Sequence, residues 1–205
     1  LIGPWIVPYA YTEMNPALVL SKPSAEHWLG TDALARDTFS RILHGAWVSL
    51  IVATVSVAFG DPFDGEVPVS SVAELARRAE AAGAVEIALG DTIGVADPWD
   101  VRRRAEAVRE AAPKTRLRMH FHNTRNTGYA NAAAALEEGV RVLDASAGGF
   151  GGCPFSPAAT GNIGTEDLDY LAVRSGYRTG LDRAAISETA EWVGGLLERT
   201  PPAMV

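Results

Sequence analysis

The 205-residue sequence predicts an α/β fold: a partial, half TIM-type β/α barrel with parallel strands over residues 55–205, preceded by an irregular and helical segment over 1–54. Three observations lead there. From Val55 onward, strand and helix signals alternate at roughly 30 residues per unit, the spacing of parallel βαβ construction. Four such units occur, half of what an eightfold barrel needs. Asp91, His120, His122 and Cys153 fall at strand C-termini or in the loops after them, where that architecture builds its sites.

The first 45 residues stand apart. Pro4, Pro8, Pro16 and Pro23 interrupt any helical or strand period, so the stretch reads as mostly irregular. A short helix is expected next, with Thr31 or Asp32 as its N-cap and Leu34, Phe39, Ile42 and Leu43 as apolar positions. The longest apolar run, Ala46 to Phe59, has 14 residues. A spanning helix needs roughly 20, so by length this is a buried element.

Val55 to Phe59 then reads as a short strand ending in the loop GDPFDGEVP, whose Asp61, Asp64 and Glu66 are expected to be solvated. Ser71 and Glu74 have capping-box spacing, Val72, Leu75, Ala76 and Ala79 share one face, and Gly83 stops the helix. Val85, Ile87 and Leu89 alternate as a strand that delivers Asp91 at its end. Asp97 before Pro98 starts the next helix, which Pro113 closes. Leu117, Met119 and Phe121 alternate with Arg118, His120 and His122 in a third strand. A helix over about 127–138 and a strand over 140–146 complete the fourth unit, and helices starting near Glu166 and Ala184 pack outside.

Composition narrows the function. With 47% hydrophobic and 21% charged residues the chain is an ordinary globular one. A net charge of -7 excludes nucleic acid as the main partner, because phosphate binding needs a concentrated basic patch. One cysteine forms no internal disulfide, which fits a reducing compartment and a cytoplasmic location, with membrane association as the alternative.

Several residues could carry chemistry. His120 and His122 are two apart on a strand, so both imidazoles point the same way and can reach one metal ion, or they are simply polar residues satisfied at a strand end. Asn162 is either a third ligand or a turn former in Thr-Gly-Asn. Cys153, before Pro154 and after Gly151 and Gly152, sits in a glycine-lined loop where a thiol can act in proton transfer; the alternative is an inert thiol. Asp91 either caps the turn after its strand or orients a metal-bound group.

Two resemblances add to this. AFGDPFDGEVP, EIALGDTIGVADP, MHFHNTRNTGYAN and GGFGGCPFSPAATGNIGTEDL, spread over about 55–200, resemble the 3-hydroxy-3-methylglutaryl-CoA lyase family. The resemblance implies cleavage of that CoA thioester to acetyl-CoA and acetoacetate on a divalent metal, magnesium or manganese. It implies His120, His122 and Asn162 as metal ligands, Cys153 as the catalytic thiol, Asp91 as an active-site aspartate, and Gly151, Gly152 and Pro154 as the substrate loop. It also implies that the family's first four βα units, with an aspartate ligand of the metal, are absent, leaving open sheet edges that favour self-association. Asp61 stands where the family commonly has cysteine. The second resemblance, PSAEHWLGTDALARDTFSRILHGAWVSL, is to oligopeptide and dipeptide ABC transporter permeases and ends near Val57, with Ala35 and Trp47 replacing that family's usual glycine and arginine. It implies a fused junction inside VSVAFG and a route to the membrane only through residues 1–57.

Overall fold

The computed structural model describes residues 7–152 and 161–204. The chain divides into two compact units, Leu1–Val52 and Ala53–Val205.

In the first unit a 3-10 turn, Pro16–Leu18, is followed by helix α1, Thr38–Ile51. Asp32 does not cap α1. Its carboxylate accepts the Leu34 and Arg36 amides and pairs with Arg36 and Arg41, organising the turn before the helix. The cap is Asp37, whose carboxylate accepts the Ser40 amide at 2.7 Å and bonds His27 Nδ1 at 2.9 Å. Leu34 lies outside the helix and is exposed. No described helix is long and apolar enough to cross a membrane.

The second unit is built on one four-stranded sheet in the order β1 (Val52–Val55), β2 (Glu86–Asp91), β3 (Arg116–Phe121), β4 (Val142–Asp144). The fold is a four-stranded parallel α/β sheet with its helices, a partial TIM-type barrel. The intervening helices are α2 (Val69–Ala81), α3 (Pro98–Ala111) and α4 (Gly128–Glu137), and α5 (Thr165–Arg174) and α6 (Arg183–Leu197) follow. Period-two alternation sorts the strands' side chains onto two faces. Ile87, Leu89, Met119 and Phe121 face the helices and pack with Val72 and Ala76 of α2, Val101, Ala105 and Val108 of α3, and Ala132 and Ala135 of α4.

The opposite face is polar. Parallel register sets Glu86 beside Arg116, Ala88 beside Arg118 and Val142, and Gly90 beside His120 and Asp144. Glu86, 1% exposed, receives the guanidiniums of Arg116 and Arg118, and Arg118 also reaches Asp144 at 2.5 Å. Burial alone would raise the Glu86 carboxyl, but Arg118 and Arg116 outweigh it and hold it below its ordinary value. The small side chains of Ala88 and Gly90 leave room for the long ones of β3.

Several elements differ from the sequence reading. The first strand is Val52–Val55 rather than 55–59, because α1 hands over directly to it and the chain turns at Val57, which has φ 51°. The end strands of the sheet are therefore 52–55 and 142–144. Ser71 and Glu74 form no capping box: α2 begins after Pro68 without a side-chain cap, and Glu74 pairs with Arg77 instead. Asp97 caps α3 through the Asp100 amide, as its sequence implies. Asp61 closes its own loop by accepting the Phe63 and Asp64 amides. The same loop is fastened by Arg104 of α3, only 4% exposed, which donates Nε to the Ala58 carbonyl and Nη2 to the Val67 carbonyl at 2.7 Å each, pairs with Asp100, and lies 5.2 Å from the Phe59 ring.

Candidate active site

The polar cluster forms where β3 and β4 end. Beyond Phe121 the chain continues past His122, and residues 161–165 fold back against it. The Ile163 amide donates to the Phe121 carbonyl, the Asn123 amide donates to the Gly161 carbonyl, and His122 bridges Asn162. On the β4 side Ser146 donates to the Ile163 carbonyl and accepts from the Thr165 amide. One short segment thus stitches both strand ends and delivers Asn162 to the histidines.

The His120 and His122 rings lie 5.2 Å apart, edge to face at 74°. Asn162 is hydrogen bonded to His120, and its Nδ2 donates to the Phe150 carbonyl at 2.9 Å. Burial pushes the His120 pKa below its ordinary value, against smaller opposing effects of Asp144 and Asn162. Burial and then the His120 charge lower His122 in the same way. Both imidazoles are therefore neutral near pH 7, the form that ligates a metal. His122 is 5% exposed, and its Nδ1 is buried with no hydrogen-bond partner among the described residues. An orphaned ring nitrogen beside a second imidazole and an amide suits a metal ion. Among the described residues no cluster of three histidine, cysteine, aspartate or glutamate side chains assembles.

Asp91 takes the capping role of its two sequence readings. It sits opposite Phe121 in register, on the helix-facing side, fully buried. Its Oδ1 accepts the Val95 and Ala96 amides at 2.9 and 3.2 Å, while Oδ2 has no partner among the described residues. Arg125, from the loop after β3, grips the same turn through the Ile93 and Gly94 carbonyls. Burial raises the Asp91 pKa from 3.8 to about 6. The folded state then holds a proton that the unfolded chain gives up, so this stabilisation is complete below pH 3.8 and is lost as pH rises through about 6. The shift corresponds to about 3 kcal/mol. Asp91→Asn keeps the Oδ1 acceptor and removes the titration, and urea unfolding at pH 4 and pH 7.5 is expected to show the wild type losing stability relative to the variant by up to that amount.

The glycine turn after β4 is held from three directions. Gly148 has φ 69°, and a Cβ there would meet the Phe150 ring at 2.7 Å, so only glycine fits. Its amide donates to buried Glu166 at 2.7 Å, and its carbonyl accepts from the Ala203 amide. Tyr129 Oη accepts the Gly164 amide and donates to Asp167, which also accepts from the Met204 amide. Gly128, which opens α4, approaches His122 so closely that a Cβ would lie 2.9 Å from its carbonyl oxygen. Gly151 and Gly152 are exposed at the end of this turn; Cys153 and Pro154 lie outside the described residues.

The structure therefore brings His120, His122 and Asn162 together, while Asp91 lies on the helix-facing side of the neighbouring strand end. Asp144, Arg118 and Glu86 on the polar face, and Glu166 under the glycine turn, are additional polar groups that sequence reasoning did not single out. Arg118 shares the alternation of His120, so the signal was present in LRMHFH. Glu166 carried none, because it reads as an ordinary first-turn acidic residue.

A half-barrel sheet with a histidine pair and an amide at its C-terminal mouth defines a β/α-barrel protein of the class that works at strand ends. The HMGL-like family matches residues 39–193, and the chain belongs to it. The (R)-citramalyl-CoA lyase of Chloroflexus aurantiacus is 45% identical over 151 residues, 74% of this chain and 48% of that protein. The hydroxymethylglutaryl-CoA lyase of Pseudomonas mevalonii is 46% identical over 134 residues, 65% of this chain and 44% of that protein. The crystal structure of the Bacillus subtilis HMG-CoA lyase superposes with a TM-score of 0.69 at 36% identity, covering 74% of this chain and 51% of that one. An HMG-CoA lyase from Acinetobacter baumannii, solved in complex with coenzyme A and 3-methylmalate, gives 0.70 at 34% identity over 83% and 58%. The chain spans about half the length of the curated relatives it matches.

Proposed function

We propose that this chain is the C-terminal, metal-binding half of a carbon-carbon lyase that acts on a hydroxylated acyl-CoA thioester, 3-hydroxy-3-methylglutaryl-CoA being the substrate the sequence favours. The observation that carries the reading is the convergence of two neutral imidazoles and an amide at one sheet mouth, in a chain related to lyases of that name. Citramalyl-CoA is a second candidate substrate, supported by the 45% identity to a lyase of that name.

His120, His122 and Asn162 would hold the metal. A divalent ion there, magnesium or manganese, supplies Lewis-acid polarisation of the substrate's hydroxyl and carboxylate oxygens. His120 stays neutral beside Asp144, and Asn162 is kept in reach by its hydrogen bond to the Phe150 carbonyl. Cleavage removes the C3 hydroxyl proton and delivers a proton to the departing acetyl-CoA enolate. Cys153, the family's catalytic thiol by resemblance, is assigned to that proton traffic. Asp91 contributes by fixing the turn after β2. Two nitrogens and one amide oxygen are a weak set for magnesium, which prefers oxygen donors in octahedral array, so affinity is low. Residues 1–38 lie outside the HMGL-like match, and the permease-like resemblance falls on them and on the stretch up to Val57.

The test is titration of the full chain with Mn2+, followed by electron paramagnetic resonance of the free ion. Saturable binding that is lost in His120→Ala and in His122→Ala is expected, with slow turnover of 3-hydroxy-3-methylglutaryl-CoA that Cys153→Ala removes. Wild-type chain that binds no Mn2+ overturns the reading.

A further inference from the structure

We propose that Asp144 is an anionic ligand of the ion held by His120, His122 and Asn162, kept beside the site by Arg118 until the ion takes it, an inference that rests on the metal-site reading above. The sheet itself brings it there. Parallel register makes one row of Gly90, His120 and Asp144 across β2, β3 and β4, and residues paired in this way point to the same face. Neighbouring strands lie about 4.8 Å apart, so a carboxylate on β4 is within reach of an ion bound to the imidazole beside it on β3. Gly90 has no side chain, which leaves Asp144 as the lateral neighbour of His120 within the row. The Asp144 charge is felt at the His120 ring.

Charge favours it as well. Two neutral imidazoles and an amide bring no negative charge to a divalent cation, at a place where the His122 ring is buried and its Nδ1 has no hydrogen-bond partner among the described residues. A charge withdrawn from water needs an opposite one beside it, and magnesium and manganese favour carboxylate oxygens. Glu86 does not supply it, because its two oxygens are taken by Arg116 and Arg118 and its side chain is 1% exposed. Asp144 is different. Its side chain is 39% exposed, and Arg118 holds it through Oδ1, at 2.5 Å from Nη1, whereas a carboxylate has about four lone-pair sites to offer. Arg118 is the competitor for them. Its own row neighbours, Ala88 and Val142, carry no charge, so the guanidinium reaches diagonally, Nε to Glu86 and Nη1 to Asp144. An ion that draws on Asp144 loosens the second of these bonds and leaves the first, so occupancy of the site and the brace between β3 and β4 oppose each other.

The experiment is Mn2+ titration of the full chain, read by electron paramagnetic resonance of the free ion, in the wild type, Asp144→Asn and Arg118→Met. Arg116 keeps Glu86 paired in the last of these, and far-ultraviolet circular dichroism checks that each is folded. Asp144→Asn is expected to weaken Mn2+ binding by about 10–100-fold, the loss typical for a group that supports a metal site. Arg118→Met is expected to tighten it several-fold. A brace with no metal role gives another pattern, since both substitutions break the same ion pair and shift the affinity in the same direction. Electron-nuclear double resonance on protein grown with carboxyl-13C aspartate adds a readout that depends on no variant being folded. A 13C coupling to the bound Mn2+ is expected in the wild type, and its disappearance in Asp144→Asn assigns it. Affinities that move together, an Asp144→Asn chain that binds as the wild type does, or a wild type without the 13C coupling each overturn the proposal. The two readings stay apart: Mn2+ binding that is lost in the histidine variants but indifferent to Asp144→Asn removes only Asp144, whereas a wild type that binds no Mn2+ removes both.

Discussion

Phe121→Ala is expected to lower the unfolding free energy by about 3–5 kcal/mol, the cost of emptying a buried aromatic position whose surroundings relax only partly. Phe121 is fully buried and is flanked in sequence by both histidines of the site. Its ring meets Phe59 at 6.0 Å and 52°, and Phe59 in turn carries the Arg104 guanidinium, so the deletion unseats a layer that runs from β3 to α3. Its carbonyl also accepts the Ile163 amide beside Asn162. Urea unfolding measures the stability loss. Mn2+ titration of the fraction still folded is expected to show weakened binding, because the strand end that aims both imidazoles has lost its support. A loss below about 1 kcal/mol would mean that the core collapses around the gap, against the packing described here.

Arg104→Met is expected to cost roughly 3 kcal/mol. Methionine keeps most of the stem volume, so the loss is polar: the Ala58 and Val67 carbonyls each lose a donor, at roughly 1–3 kcal/mol for a buried acceptor left unpaired. Asp100, partly exposed, recovers water and softens the effect. Arg104→Lys is expected to rescue little, since one ammonium cannot reproduce a planar fork that reaches two carbonyls and a carboxylate at once. Limited proteolysis between residues 60 and 67 distinguishes this local untying from global loss of stability.

Much of this architecture could be read from residue order because strand and helix periods are local properties. Asp97-Pro98 set the start of α3, and Leu117, Met119 and Phe121 set the inward face of β3, without help from distant contacts. Val52–Val55 was misplaced because Ala46 to Phe59 is apolar apart from Ser49, Thr54 and Ser56, and such a short apolar run carries no period with which to tell a helix end from a strand start. Ser71 and Glu74 had the right spacing for a cap and lost to Pro68, which begins α2 earlier, and to Arg77, which claims the carboxylate.

For the site, the histidine pair followed from alternation alone. The convergence of Asn162 on it did not, because that depends on residues 161–165 folding back across two strand ends, a contact some forty residues away in the chain. Asp91 was equally a cap or an orienting group on paper; the register of β2 against β3 sends it to the helix side. Glu166 was missed because its partner is a backbone amide at Gly148, and a backbone amide leaves no mark in a residue pattern.

The backward reach of Ala203 and Met204 has a practical side. Anyone tethering this molecule to a bead or sensor chip through its tail would transmit tension straight into the bend at Gly148 and, through Asp167 and Tyr129, into the segment bearing Asn162. An anchor at an exposed α2 position such as Arg77 would leave that linkage slack.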